Sequence, residues 1–205
     1  MAWSTERWGR VMRPVVLWDV MGTLVHDPFF TEMPDFFGMT FDAMLQAKHP
    51  RAWVEFELGQ RSEEDFLASF FDDGRDFDRA GFVSTVRSSY RWLPGLEALL
   101  AELQDAGCSM HAFSNYPVWY QLIEERLSPS RFLHWSFVSC TTGLRKPDPA
   151  AYAYVLEELG VPAERCVFID DRASNCEASR QAGIRSVLFE GVDPLRASLR
   201  EAGIF

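Results

Sequence analysis

Apolar and polar positions alternate along most of the chain in two rhythms. The run Pro14 to Trp18 (PVVLW) is short, apolar and rich in β-branched residues; it reads as a strand buried on both faces that ends at Asp19. Gly22 and Thr23 then break it. From Pro94 onward, Leu96, Leu99, Leu100 and Leu103 fall at helical spacing, Gly107 stops the helix, and Ser109 to Phe113 reads as a second strand. A helix from about Val118 to Leu127 leads to the apolar segment Phe132 to Val138. Asp148 and Pro149 open a helix whose Tyr152, Val155, Leu156 and Leu159 share one face, with Gly160 at its end. Cys166 to Ile169 is the next strand, a helix runs to about Ala182, Ser186 to Phe189 is the last strand, and Asp193 and Pro194 open a final helix. Strands alternating with helices of this length predict a doubly wound, Rossmann-like α/β fold with a parallel five-stranded sheet. Ligands in such sheets bind beyond the carboxyl ends of the strands.

Residues 26–92 break this rhythm. They are aromatic-rich, with helical pieces and a cap signal at Ser62 with Asp65 three residues on. This predicts a helical insertion spanning 26–92 in a core made of 1–25 and 93–205, placed directly after the first strand and so able to lie over the strand ends as a lid.

With 205 residues and 47% hydrophobic side chains, the chain can bury one full core and a small satellite. Its formal charge of −10 gives no long-range attraction for nucleic acid or an anionic membrane, so neither is expected as a partner. An anionic substrate must be captured locally. Cys108, Cys140, Cys166 and Cys176 lack metal-site or disulfide spacing, which predicts reduced thiols and a cytoplasmic location. The N-terminal MAWSTERWGRVMRP has no apolar run that reads as a secretory signal, and no stretch approaches the roughly 20 apolar residues of a membrane span. Of the 20 basic residues 18 are Arg; only Lys48 and Lys146 are Lys. Where Arg serves almost everywhere, a retained Lys points to a need for a compact ammonium.

Four short segments carry candidate chemistry, each at a predicted strand end. In WDVMGTL, Asp19 leaves the first strand and Gly22-Thr23 turn the chain; the bland reading is a turn-forming Asp. In HAFSNYP, Ser114 and Asn115 offer a hydroxyl and backbone amides to phosphate oxygens, though a turn or cap would use the same residues. In GLRKPDP, Lys146 could neutralise a phosphate and the nearby carboxylate, or be a solvated surface Lys. In VFIDDRASN, Asp170 and Asp171 place two negative charges side by side, costly without a counterion unless both are solvated. Oxygen ligands without His or Cys favour magnesium over zinc.

The order Asp19 with Gly22-Thr23, then Ser114, Lys146 and Asp170-Asp171 resembles the four motifs of the haloacid dehalogenase-like (HAD) hydrolase superfamily over nearly the whole chain, and residues 26–92 look like its helical cap of the first type. MGTLVHDPFF, KHPRAWVEFELG, FFDDGRDFD, FSNYPVWY and FIDDRASN further resemble plant chloroplast-type flavin mononucleotide (FMN) hydrolases. The resemblance implies a small phosphorylated substrate, attack by Asp19 to form an aspartyl-phosphate, and Mg²⁺ held by Asp19, the backbone carbonyl of Met21, Asp170 and Asp171 with support from Asn175. Gly22, Thr23, Ser114, Asn115 and Lys146 would hold the substrate; Asp19, Ser114, Lys146 and Asp170 would be the catalytic set.

Met21 departs from the pattern, because phosphatases of the superfamily usually carry there a second Asp that moves a proton. Four side chains of the insertion, His26, Asp27, His49 and Glu57, are candidates to replace it, and Phe29, Phe30, Tyr116, Trp119 or Tyr120 could stack on a flavin ring. Three other readings tolerate Met21: a 2-haloacid dehalogenase, which needs no such proton; a phosphonate hydrolase using Lys48 as imine-forming amine; and a binding protein on a catalytically degenerate scaffold.

Overall fold

The computed structural model describes residues 14–204; residues 1–13, which include the N-terminal segment read above and the start of the expected core, lie outside that range. Strand β1 (Val15–Trp18) is followed by five helices: α1 (Glu32–Phe36), α2 (Phe41–Ala47), α3 (Ala52–Glu57), α4 (Glu63–Ala68) and α5 (Arg79–Ser89). The α/β alternation then runs α6 (Leu96–Asp105), β2 (Ser109–Ser114), α7 (Tyr120–Leu127), β3 (His134–Val138), α8 (Ser139–Thr142), α9 (Pro149–Leu159), β4 (Cys166–Asp170), α10 (Ala173–Gln181), β5 (Arg185–Leu188) and α11 (Val192–Glu201).

The five strands form one parallel sheet in the order β3-β2-β1-β4-β5. The strand order reverses between β1 and β4, so Asp19 and Asp170 leave adjacent strands at the topological switch point, where such sheets bind ligands. The period of two along buried strands sorts their side chains: Val16 and Trp18 join one apolar cluster, Val15 and Leu17 the other, and β4 divides likewise with Val167 and Ile169 against Cys166 and Phe168. The four leucines of α6 are completely buried.

Four element boundaries differ from the sequence pattern for local reasons. α7 starts at Tyr120 because Val118 and Trp119 form the turn that leads into it. β3 starts at His134 because Pro129–Arg131 form a 3₁₀ turn that Phe132 closes. β5 begins one residue early, where Arg185 pairs with Val167. α11 begins before Asp193, with Gly191 at its cap, so Pro194 sits in the first turn, where a missing N–H costs no helix bond.

Residues 26–92 leave and rejoin the rest of the chain at one point. His26 N–H donates to Arg91 O (3.0 Å) and Leu93 N–H to Leu24 O (2.8 Å). Glu32 accepts from His26 at 2.8 Å and from Arg91 at 3.2 Å, tying both ends together. As the pattern predicts, Ser62 caps α4 by accepting from Asp65 N–H (3.1 Å). Phe37, Phe70, Phe71, Phe77 and Phe82 pack edge to face with centroids 4.8 to 5.8 Å apart. This ring cluster is continuous with Trp18 and Val20 beneath the sheet's carboxyl edge, so helices and sheet share one core. Phe82 is fully buried there; Phe82→Ala should cost about 3–5 kcal/mol. Urea unfolding should show it as a single transition at lower midpoint, whereas a separate early transition would mean that residues 26–92 unfold alone.

Candidate active site

Three buried charges form the centre of the site. Lys146 Nζ donates to Asp19 Oδ1 and to Asp170 Oδ2, both at 2.7 Å. Lys146 is 2% exposed, with its ammonium 5.2 and 5.0 Å from the Phe113 and Phe168 ring centroids. Its backbone is clamped by the Asn115 amide, whose Oδ1 accepts from Lys146 N–H (2.8 Å) and whose Nδ2 donates to Lys146 O (2.7 Å). Asp170 also accepts from Asn175 Nδ2 (2.9 Å) and, through Oδ1, from Arg172 N–H (2.8 Å).

Thr23 joins the two acidic loops: its hydroxyl donates to Asp19 Oδ2 (3.1 Å) and accepts from Asp171 N–H (3.1 Å). Gly22 is fixed on two grounds. Its φ is +80°, and a Cβ there would stand 2.7 Å from Asp171 Oδ2. The Gly-Thr pair thus sets Asp19 and Asp171 in register, and neither residue lines the cavity above them.

That cavity, of about 200 Å³, is walled from the sheet side by Asp19, Met21, Asn115, Lys146 and Asn175. From residues 26–92 come Asp27, Phe29, Trp53 and Glu57; Tyr116, Arg145 and Arg172 complete it. Ser114, the last residue of β2 and next to Asn115, is buried, and its Oγ has no hydrogen-bond partner. Among the proposed proton carriers, Asp27 and Glu57 face the cavity, whereas His26 is bound to Glu32 and His49 Nδ1 accepts the N–H groups of Arg51 and Ala52 at the start of α3. Lys48 borders a different, much smaller cavity with Phe66 and Phe70. Of the aromatic candidates Phe29 and Tyr116 face the cavity, Phe30 is 52% exposed, Trp119 is buried against Phe56 and Phe66, and Tyr120 packs on Trp135.

Sequence reasoning missed Trp53, Arg145 and Arg172. Adjacency to Lys146 and to the Asp170-Asp171 pair could have flagged the arginines; Trp53 carries no local signal.

Burial pushes the Asp19 carboxyl up to about 7; the Lys146 ammonium offsets part of this and the charge of Asp170 adds to it. For Lys146 burial opposes the charge, but the two carboxylates win and hold the ammonium above its ordinary value. Burial also raises Asp27 and Glu57 against the opposing pull of Arg172 and Arg145 respectively, and raises Asp171 with help from Asp170.

Asp19, Asp170 and Asp171 each offer an oxygen within 4.8 Å of the others. Three hard oxygen donors carrying more negative charge than one ammonium balances suit a divalent cation such as magnesium. None of the four cysteines is in a disulfide, and among the described residues no helix is long and apolar enough to cross a membrane.

The model of the haloacid dehalogenase-like hydrolases matches residues 14–183, and the chain belongs to that family of hydrolases. It is 45% identical over 191 residues to Arabidopsis thaliana flavin mononucleotide hydrolase 1, a chloroplast protein, covering 93% of this chain and 78% of the relative. It is 34% identical over 96 residues to a phosphoglycolate phosphatase of Pseudomonas savastanoi, covering 46% of this chain and 35% of that one. A HAD family enzyme of Bacteroides thetaiotaomicron, solved with magnesium and inorganic phosphate, has the same fold at a TM-score of 0.72 and 16% identity, covering 86% of this chain and 94% of its own.

In metal-free protein, Asp19 keeps its proton to about pH 7 when folded but loses it near 3.8 when unfolded. Between these values the folded state binds more protons, so this group makes stability fall as pH rises. Asp19→Asn removes the effect, and its stability relative to the parent should climb between pH 4 and pH 7 in chelator-treated samples. A flat difference curve would rule out an Asp19 carboxyl raised by burial.

Proposed function

We propose that this hydrolase is a magnesium-dependent phosphomonoesterase acting through an aspartyl-phosphate on Asp19, with FMN as its substrate. The observation that carries the reading is the buried Asp19–Lys146–Asp170 group in the floor of a cavity at the strand ends. Residues 26–92 serve as a helical cap over the core formed by 1–25 and 93–205.

Asp19 Oδ attacks phosphorus in line with the leaving oxygen, and water then hydrolyses the acyl phosphate. Lys146 balances the phosphoryl charge and keeps Asp19 oriented; Asn115 holds Lys146 in place through its backbone. Ser114 Oγ, buried without a partner, is a donor still free for a phosphoryl oxygen. Asp19, the Met21 carbonyl, Asp170 and Asp171 would hold the magnesium ion, with Asn175 fixing Asp170; bound there, it supplies charge neutralisation and Lewis acidity to the phosphoryl group.

FMN is supported by the 45% identity to a flavin mononucleotide hydrolase and by the aromatic side of the cavity, where Trp53 stacks on Phe29 with centroids 6.3 Å apart and meets Tyr116 at 5.9 Å. A volume of about 200 Å³ is below the roughly 300–1,000 Å³ that encloses a whole drug-sized ligand. It therefore takes in the phosphorylated end and leaves the flavin ring at the aromatic mouth between cap and core.

Met21 in the cavity wall favours a second reading, a binding protein without turnover. Phosphate release from FMN and a panel of phosphomonoesters, and halide release from 2-haloacids, measured with and without magnesium, separates these. The expected result is phosphate from FMN, lost on chelation and restored by magnesium, with no halide. Asp19→Asn should lower turnover by at least about 10³-fold; full activity in that variant, or binding without product in the parent, would overturn the proposal.

A further inference from the structure

Cleaving an alkyl phosphate creates an alkoxide that must be protonated, and the water that releases the enzyme must lose a proton. The ionisable carboxyl and amino groups on the cavity wall are few enough to assign by exclusion. Arg145 and Arg172 do not release protons at any working pH. Lys146 is held charged by two carboxylates, and Asp19 is the nucleophile. Glu57 is ion-paired with Arg145. The Tyr116 hydroxyl is buried in a 2.8 Å bond with Tyr90, and burial pushes it far above the range in which a phenol gives up its proton. Asp27 is the group that is left.

Its setting suits the task. Phe29 N–H donates to Asp27 Oδ1 at 3.0 Å, which fixes the carboxyl in the turn that begins the cap, on the wall it shares with Asp19 and Met21. Partial burial raises its affinity for a proton, while Arg172 and His26 keep the ionised form within reach.

We propose that Asp27 is the acid–base residue of this enzyme, doing from the cap what Met21 cannot do from the loop after β1. The inference rests on the phosphomonoesterase reading. As the bond from Asp19 Oδ to phosphorus forms and the bond to the leaving oxygen breaks, the Asp27 proton passes to that oxygen. The ionised Asp27 then takes a proton from the attacking water as the new phosphorus–oxygen bond forms and the Asp19 acyl phosphate opens. Phosphate leaves, and Asp27 is protonated again.

The test compares Asp27→Asn with the parent on two substrates in magnesium: FMN, whose leaving alkoxide needs a proton, and p-nitrophenyl phosphate, whose leaving group does not. FMN turnover should fall by about 10²- to 10⁴-fold. With p-nitrophenyl phosphate the first step survives and the second lacks its base, so rapid mixing should show a burst of one nitrophenolate per active site followed by slow turnover. A magnesium-induced rise in melting temperature equal to the parent's shows that the variant is folded with its metal site intact. Retention of FMN turnover, or equal slowing of both substrates without a burst, would overturn the role given to Asp27. Failure of the phosphatase reading looks different: the parent itself would release phosphate from neither substrate, and the proposal would fall with it.

Discussion

Everything at the head of this sheet is arranged around one buried ammonium between two buried carboxylates. Removing three charges from water costs several kcal/mol for each, and that cost is recovered only when the geometry is good and the remaining lone pairs are occupied. Both conditions are met here. The Lys146 contacts are both 2.7 Å, and the remaining oxygens of Asp19 and Asp170 accept from Thr23, Asn175 and the Arg172 N–H. Above about pH 7, where Asp19 is ionised as well as Asp170, one positive charge faces two negative ones, with Asp171 beside them. The arrangement is then electrostatically short of a cation, and that deficit, rather than any single ligand, is what suits it to a divalent ion.

The loop that delivers Lys146 also holds the helices of residues 26–92. Arg145, its neighbour in sequence, pairs with Glu57 at the end of α3, an acid that is only 3% exposed. Ser139 donates to the Glu57 carbonyl, and the Trp119 indole donates to Glu63 at the start of α4. Gly59 lies so close to the Cys140 carbonyl that any Cβ would collide with it. Residues 26–92 are therefore held to the sheet side by an ion pair, two side-chain hydrogen bonds and one close backbone approach, while the apolar cluster fills the space behind. A displacement of α3 would disturb Arg145 and, through one peptide unit, the residue on which the central charge balance depends.

The strands were legible because a buried parallel strand is a short β-branched run with few alternatives, and the positions of Asp19, Ser114 and Asp170 followed once each was read as a strand end; Lys146, expected at a strand end as well, instead stands beyond β3 and α8, in the loop that leads to α9. The helical character of residues 26–92 was visible in the loss of that rhythm. What the local pattern could not reveal was which partner each side chain finds. Thr23 and Asn115 look like phosphate ligands in sequence, yet in the structure their bonds go to Asp19, Asp171 and the Lys146 backbone, contacts made across 4, 148 and 31 residues of chain. In a chain that is 14% aromatic, ring identity says little about ring location. Trp53 reaches the cavity and Trp119 does not, although their rings meet with centroids 6.1 Å apart, a tertiary fact with no signature of its own.

The charge of the whole molecule and the charge of the cavity pull in opposite directions, and distance decides between them. A net charge of −10 disfavours an approaching phosphate, but at physiological ionic strength charges beyond about 8 Å are largely screened. Within the cavity, Lys146 contacts Asp19 and Arg145 pairs with Glu57, both well inside that distance, while Arg172 and Asp27 share the same wall. If Asp27 carries a proton and magnesium offsets Asp19 and its neighbours, as proposed, Lys146 and Arg172 are left as the uncompensated charges, because Arg145 is already paired with Glu57. The proposed chemistry would then make the site attractive to a phosphate dianion only in the protonation and metal state that can also cleave it, so that binding and catalysis would share one condition.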